Sequence, residues 1–148
     1  MKILNFIIYI LVFFKITFIT AADYDPYEIN LIDLYASKTD NINIGSAERG
    51  KKIFISRRLN CLSCHEAPIP DEKFHGNFGP SLYGIGSRYN KSELRIRIID
   101  SKIINPDSIM PTYYKKLNYP RIPKKYLNKT ILNAQEVEDL VEYLYSLK

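Results

Sequence analysis

Five consecutive residues, Cys61-Leu62-Ser63-Cys64-His65, place two thiols and an imidazole in one short stretch of the chain. Two thiols three positions apart can each form a thioether with one vinyl group of a haem, and the adjacent imidazole can then ligate the iron beneath the ring. We therefore expect one covalently bound haem c, attached through Cys61 and Cys64, with His65 as an axial ligand of the iron.

Three other kinds of site use the same residues. A redox-active Cys-x-x-Cys disulfide belongs in a βαβ context, which this sequence does not show. A zinc ion needs four ligands, and outside the motif only His75 is available. A structural disulfide with chance spacing is the third alternative. Because the chain has no further cysteine, haem attachment leaves no thiol for nucleophilic catalysis, and we predict no catalytic residue in this chain.

Two residues compete for the sixth position on the iron. Met110 lies in the segment Ile109-Met110-Pro111, inside a proline-bounded loop well after the haem motif. A methionine is more often a gap-filling core residue, and His75, only ten residues after His65, is the main competitor as a ligand. We expect Met110 to ligate the iron, because Pro111 fixes the chain direction just beyond the sulfur. A His/Met pair would raise the reduction potential relative to bis-His ligation.

The segment Gly79-Pro80-x-Leu82-x-Gly84 follows the haem motif. We expect the Pro80 carbonyl to accept a hydrogen bond from the free ring N–H of His65, which would set the orientation and basicity of the imidazole. The alternative is an ordinary loop with a buried leucine.

Three helices are predicted to position these groups. One begins after Ser46, a good N-cap residue, and the other two begin at the capping pairs Asn90/Glu93 and Asn133/Glu136. Residues 94–98 also alternate like a strand, so the middle helix, about residues 91–101, is ambiguous from periodicity alone. Four prolines predict mostly irregular structure between residues 105 and 129. No convincing set of strands remains, and the predicted fold class is all-α.

The first 22 residues resemble a signal peptide. Lys2 precedes an apolar run over residues 3–14, and Thr20-Ala21-Ala22 supplies small residues for cleavage. A retained membrane anchor is the alternative, although Lys15 splits the apolar stretch below the roughly 18 residues that a span needs. We expect export of the protein and cleavage of residues 1–22.

The charge distribution is uneven along the chain. The formal net charge is +5, and loss of Lys2 and Lys15 with the signal peptide lowers it to +3. Residues 88–129 carry 11 Lys or Arg and only three acids. Such a small net positive charge does not predict a nucleic-acid partner. The basic stretch is either a solvated surface or a face that meets an acidic partner or an anionic substrate.

The order of these features resembles the class I cytochromes c. Gly50, the haem motif, Gly79-Pro80, Met110-Pro111 and an aromatic C-terminal helix follow one another as they do in that family. The resemblance implies a class I cytochrome c fold in which the first and last helices cross. In that fold Gly50 would lie at the crossing, and Tyr143 or Leu144 would meet it.

Several stretches are similar to the SoxX family, the small cytochromes of the sulfur-oxidation system. They are residues 76–82, 94–100, 105–114 and 131–141. The most specific of them is the Asn-Pro-Asp-x-x-Met-Pro-x-Tyr-Tyr block at residues 105–114, and the resemblance favours helix over strand at residues 94–99. It covers most of residues 46–148, the predicted cytochrome domain. Residues 23–45 are interpreted as an N-terminal extension, for which docking to a partner is one hypothesis.

The resemblance to the SoxX family implies a subunit that accepts electrons. In that family the small cytochrome pairs in the periplasm with a larger haem subunit, SoxA, as a heterodimer. The pair joins thiosulfate to a cysteine on a sulfur-carrier protein, with the reacting persulfide on SoxA, and the small subunit passes electrons to a downstream cytochrome c. The alternatives are a free-standing periplasmic electron carrier of a respiratory chain and a haem sensor, which would need an open sixth position.

Overall fold

The computed structural model describes residues 24–116, 118 and 120–148. In this part of the chain, strands β1 (Tyr27–Asn30) and β2 (Tyr35–Lys38) precede the helices α1 (Ala47–Ile55), α2 (Ile85–Arg88), α3 (Lys91–Asp100) and α4 (Ala134–Ser146). Short 3-10 turns occupy Cys61–Ser63, Ser101–Ile103 and Lys124–Tyr126. The predicted signal peptide lies outside the described residues. No helix in the described ranges is long and apolar enough to cross a membrane.

The three helices predicted from their caps are confirmed. In α3, the Asn90 side chain accepts hydrogen bonds from the Ser92 and Glu93 N–H groups, and the Glu93 carboxylate accepts one from the Asn90 N–H. Asn133 and Glu136 form the same reciprocal pair at the start of α4. Helix α3 is buried around most of its circumference, so it has no single apolar face, which explains why periodicity alone did not separate helix from strand.

Helices α1 and α4 cross at Gly50, as the cytochrome resemblance implied. A Cβ atom at this position would lie 1.9 Å from the backbone carbonyl oxygen of Asp139 and 2.7 Å from Cβ of Tyr143. The rings of Phe54 and Tyr143 pack beside the crossing with their centroids 5.4 Å apart. Only glycine allows the two backbones to approach this closely.

Asp139, a residue of α4, forms hydrogen bonds that hold the beginning of α1 at the same crossing. Its carboxylate accepts hydrogen bonds from the Ser46 N–H at 2.8 Å and from two nitrogens of Arg49 at 2.7 and 2.8 Å. Desolvation acts to raise the pKa of Asp139, but these hydrogen bonds and a further one from Gln135 outweigh it and lower that pKa. The ionised carboxylate therefore stabilises the helix crossing.

The hairpin of β1 and β2 was not predicted from the sequence. Its antiparallel register pairs Tyr27 with Lys38 and Asn30 with Tyr35, and the inward residues Tyr27 and Ala36 are almost fully buried. A two-stranded hairpin is marginal by itself. This one packs against α3, where Arg95 donates a 2.8 Å hydrogen bond to the Ala36 carbonyl. The fold remains mainly helical, with this hairpin as its β-structure in the described residues.

Candidate haem site

A cavity of about 480 Å³ lies between the Cys61–Ser63 turn, helices α3 and α4, and the loop that carries Met110. Its walls are mostly apolar and include Phe54, Leu82, Leu94, Ile98, Leu140 and Leu144. This size and lining are typical of a site for a large apolar ligand with a few fixed polar contacts. Cys61, Cys64, His65 and Met110 all line the same cavity.

The imidazole of His65 is held by the loop that follows the motif. Its Nδ1 lies 2.8 Å from the Pro80 carbonyl oxygen, which accepts the ring N–H. A Cβ atom at Gly79 would lie 2.3 Å from Cε1 of the ring, so the imidazole rests directly on the glycine backbone. With its proton on Nδ1, the neutral ring keeps a lone pair on Nε2 for a metal.

The two thiols differ in their surroundings. Cys61 is half-buried at the cavity wall, whereas Cys64 is exposed. Burial raises the pKa of the Cys61 thiol to about 11. The intervening 3-10 turn is closed by a 3.2 Å hydrogen bond from the Cys64 N–H to the Cys61 carbonyl. The turn thus brings both sulfurs to one cavity wall, where each can bond to a vinyl group of the same ring.

Met110 reaches the cavity from an irregular loop. Its N–H donates to Ser108 Oγ at 3.3 Å, and its carbonyl accepts a hydrogen bond from Ser101 Oγ at 3.2 Å. Ser101 directly follows α3. The end of this helix therefore helps to fix the backbone from which the methionine side chain extends.

His75, the competing ligand, does not line this cavity. Its Nδ1 accepts a hydrogen bond from the Ala67 N–H at 3.2 Å, and its Nε2 is buried with no hydrogen-bond partner among the described residues. The structure therefore brings Met110, and not His75, to the cavity that His65 lines.

Sequence reasoning missed Arg97 as a member of the site. Arg97 lines the cavity, and its guanidinium stacks on the Tyr89 ring with 3.9 Å between the guanidinium carbon and the ring centroid. It also donates to the Glu93 carbonyl at 2.7 Å. Arg97 is the one Lys or Arg in the described lining, and a fixed cation there suits an anionic carboxylate such as a haem propionate. In the sequence it is indistinguishable from the ten other basic residues between positions 88 and 129.

Comparison with known proteins identifies the family. The cytochrome c family model matches residues 47–148, which contain all of the cavity residues described above. The chain belongs to the cytochrome c family. Its cofactor is therefore a covalent haem c, and the apolar cavity with two thiols and an imidazole on its wall fits that group. This cytochrome is an electron-transfer protein.

The narrower resemblance to SoxX-type cytochromes is also confirmed. A solved structure, the crystal structure of SoxXA from P. pantotrophus, matches this cytochrome with a TM-score of 0.71 and 31% sequence identity. The match covers 82% of this chain and 94% of that chain. The structural match and the sequence blocks that resemble SoxX therefore agree that this chain is a SoxX-type cytochrome c.

Replacing Gly79 with alanine is expected to disturb the site through His65. The new methyl group would overlap the imidazole, so the ring or the backbone at Pro80 must move, and the 2.8 Å hydrogen bond between them weakens. We expect a higher reduction potential or loss of the native spectrum, because a weaker hydrogen bond to Pro80 makes the imidazole a less basic donor and so disfavours the ferric form. Absorption spectra and redox titration of the purified holoprotein measure the effect.

Gly84→Ala is the matched control for this substitution. Gly84 has a φ of +64°, but no other atom lies within 4 Å of a Cβ built there. Alanine at this position costs about 1 kcal/mol of backbone strain without touching the haem site. If Gly84→Ala changed the spectrum as much as Gly79→Ala, the assigned contact between Gly79 and His65 would not be the cause.

Proposed function

We propose that this cytochrome is the electron-accepting haem subunit of a periplasmic thiosulfate-oxidising complex. Its partner is a larger SoxA-type haem subunit, and the pair couples thiosulfate to a cysteine of a sulfur-carrier protein. The observation that supports this most is the 31% identity to a SoxXA structure over 94% of the matched chain. The proposal includes export of the cytochrome to the periplasm through the predicted signal peptide, residues 1–22.

In this proposal His65 and Met110 would ligate the iron, and Cys61 and Cys64 would hold the ring covalently. Arg97 pairs with a propionate. The haem supplies an iron that changes between the ferrous and ferric states. The chain's own residues orient the imidazole through Pro80, hold the methionine loop and exclude water with apolar walls, which limits the reorganisation that accompanies a change of charge.

The division of chemistry between the subunits follows from the cysteines. The chain has two, and haem attachment uses both. No thiol of this subunit is then left to carry a persulfide, so the sulfur-transferring cysteine belongs to the partner. This subunit is the non-catalytic, electron-transfer part of an L-cysteine S-thiosulfotransferase-type complex.

Electrons leave through the part of the site that meets the surface. Ile109 lines the cavity and still has 74% of its surface exposed, so the cavity wall reaches solvent beside the Met110 loop. A downstream cytochrome c that docks there would meet the cavity where its wall reaches solvent.

The test is reduction of this haem by thiosulfate in a reconstituted system. The cytochrome is produced in a host with haem-attachment machinery, with and without the SoxA-type subunit and the sulfur carrier, and the haem absorption is followed after thiosulfate is added. We expect reduction only with the partner and carrier present, together with co-purification of the two haem subunits. A carrier-protein variant that lacks its acceptor cysteine is the control that should stay oxidised.

A different outcome would favour the free-standing electron carrier. If the cytochrome purifies alone and stays oxidised with every component present, the thiosulfate proposal fails. An association that disappears at moderate salt would also point to a shuttling carrier with a screened, charged face, because a stable subunit interface is larger and more apolar.

A further inference from the structure

Asp100 joins three segments of the chain that are distant in sequence. It is the last residue of α3, and only 3% of its surface is exposed. Its Oδ2 accepts a 2.8 Å hydrogen bond from the Tyr24 hydroxyl, and its Oδ1 accepts one of 2.9 Å from the Thr112 hydroxyl. The Lys102 N–H donates to Oδ1 at 3.1 Å, and Lys115 Nζ lies 3.8 Å from Oδ2.

These contacts hold the loop at Met110 and just after it. Ser101 donates to the Met110 carbonyl, and Asp100 binds Thr112, two residues further along the chain. Two adjacent residues at the end of α3 thus fix the backbone at Met110 and just beyond it. A rotation of the loop that withdrew the methionine side chain would break at least one of these bonds.

The same carboxylate connects this loop to the N-terminal segment. Tyr24 is 76 positions away in sequence and 6% exposed, and the Lys115 ammonium lies 5.6 Å from the centroid of its ring. A buried carboxylate is costly unless donors surround it, and hydrogen bonds to a charged acceptor are the strong ones. Removing one donor therefore weakens the hydrogen bonds that the remaining donors make to the Asp100 carboxylate.

We propose that Asp100 is a positioning residue for the sixth ligand of the iron. It holds the Met110–Thr112 loop in the arrangement in which the methionine side chain faces the cavity, and through Tyr24 it makes this arrangement depend on the N-terminal segment. The inference rests on the proposed ligation by Met110. It gives the extension before residue 46 a role in the haem site.

The test compares single-hydroxyl and charge-neutralising variants of the holoprotein. Tyr24→Phe and Thr112→Val each remove one donor to the carboxylate, and Asp100→Asn removes its charge at nearly constant volume. Imidazole is titrated into the oxidised protein, because an external ligand binds only when the methionine has left, and its apparent affinity therefore reports the open fraction. We expect binding to tighten about tenfold for Asp100→Asn and roughly threefold for each hydroxyl variant.

Tyr27→Phe is the matched control. Tyr27 is a buried tyrosine of the same segment, but its hydroxyl donates to the Ala134 carbonyl at 2.9 Å, away from the Met110 loop. Its removal should leave imidazole binding unchanged within about twofold. Equal tightening for Tyr24→Phe and Tyr27→Phe would mean a general loss of stability and would overturn the inference.

The outcomes separate this inference from the ligand assignment. If the unaltered protein lacks the sulfur-to-iron absorption band, Met110 is not the ligand and the proposed site is wrong. If the band is present, but Tyr24→Phe, Thr112→Val and Asp100→Asn all bind imidazole as the unaltered protein does, Asp100 does not position the ligand. Should Asp100→Asn fail to fold, the two hydroxyl variants decide the matter, because both keep the charge.

Discussion

Replacing Met110 with alanine is expected to lower the reduction potential of this cytochrome by on the order of 0.1 V. It should also remove the sulfur-to-iron absorption band from the oxidised spectrum. Met110 lines the cavity that His65 lines, and its loop is fixed by Ser101 and Ser108. A thioether favours the ferrous state, so its loss stabilises the ferric form relative to the ferrous one. Redox titration and absorption spectroscopy of the holoprotein check both effects.

His75→Gln is the control for the Met110 substitution. His75 lies outside the cavity lining, and its Nδ1 is occupied by the Ala67 N–H. A glutamine oxygen can accept the same hydrogen bond, so the loop should keep its shape and the spectrum should stay the same. If Met110→Ala left the spectrum unchanged while His75→Gln altered it, the sixth ligand would be His75, and the loop after the haem motif would have to rearrange.

The parts of the site that could be predicted from the sequence are built from residues that are close together in the chain. The haem motif at residues 61–65 is contiguous, and a cap such as Asn90 with Glu93 involves neighbours only three positions apart. In such patterns the residue spacing alone sets the local geometry, so no distant contact has to be known. The expectation that Gly50 lies at a helix crossing came from the resemblance to the class I cytochromes c, and the backbone of Asp139, which a Cβ atom at Gly50 would overlap, gives its physical reason.

The parts that could not be predicted depend on partners distant in sequence. Arg97 is one of many basic residues in its stretch, and only the fold shows that it lies in the cavity wall. The hairpin of β1 and β2 has two strands of four residues each, too short to give a reliable alternation. Its stability comes from packing on α3, which no local pattern in residues 24–45 reveals.

Neutralising Glu138 is expected to destabilise the fold by about 3–5 kcal/mol, because the buried guanidinium of Arg95 would lose its counter-charge. Arg95 and Glu138 form a two-point ion pair between α3 and α4, with N–O distances of 2.7 and 2.8 Å. Their side chains are only 6% and 3% exposed. Chemical denaturation of the holoprotein carrying Glu138→Gln measures the loss. The exposed pair of Glu48 and Lys52 is the control, and Glu48→Gln should leave the stability nearly unchanged, because solvent screens this ion pair.

A double variant shows whether the charges or the packing matter more. Arg95→Met with Glu138→Leu removes both charges, and because apolar replacements of a buried pair are often neutral, it should recover most of the stability lost in Glu138→Gln. The recovery will be incomplete, since Arg95 also donates to the Ala36 carbonyl and so holds the hairpin on α3. Full recovery would mean that the bond to the hairpin contributes nothing. A Glu138→Gln variant as stable as Glu48→Gln would mean that the buried pair does not hold the two helices together.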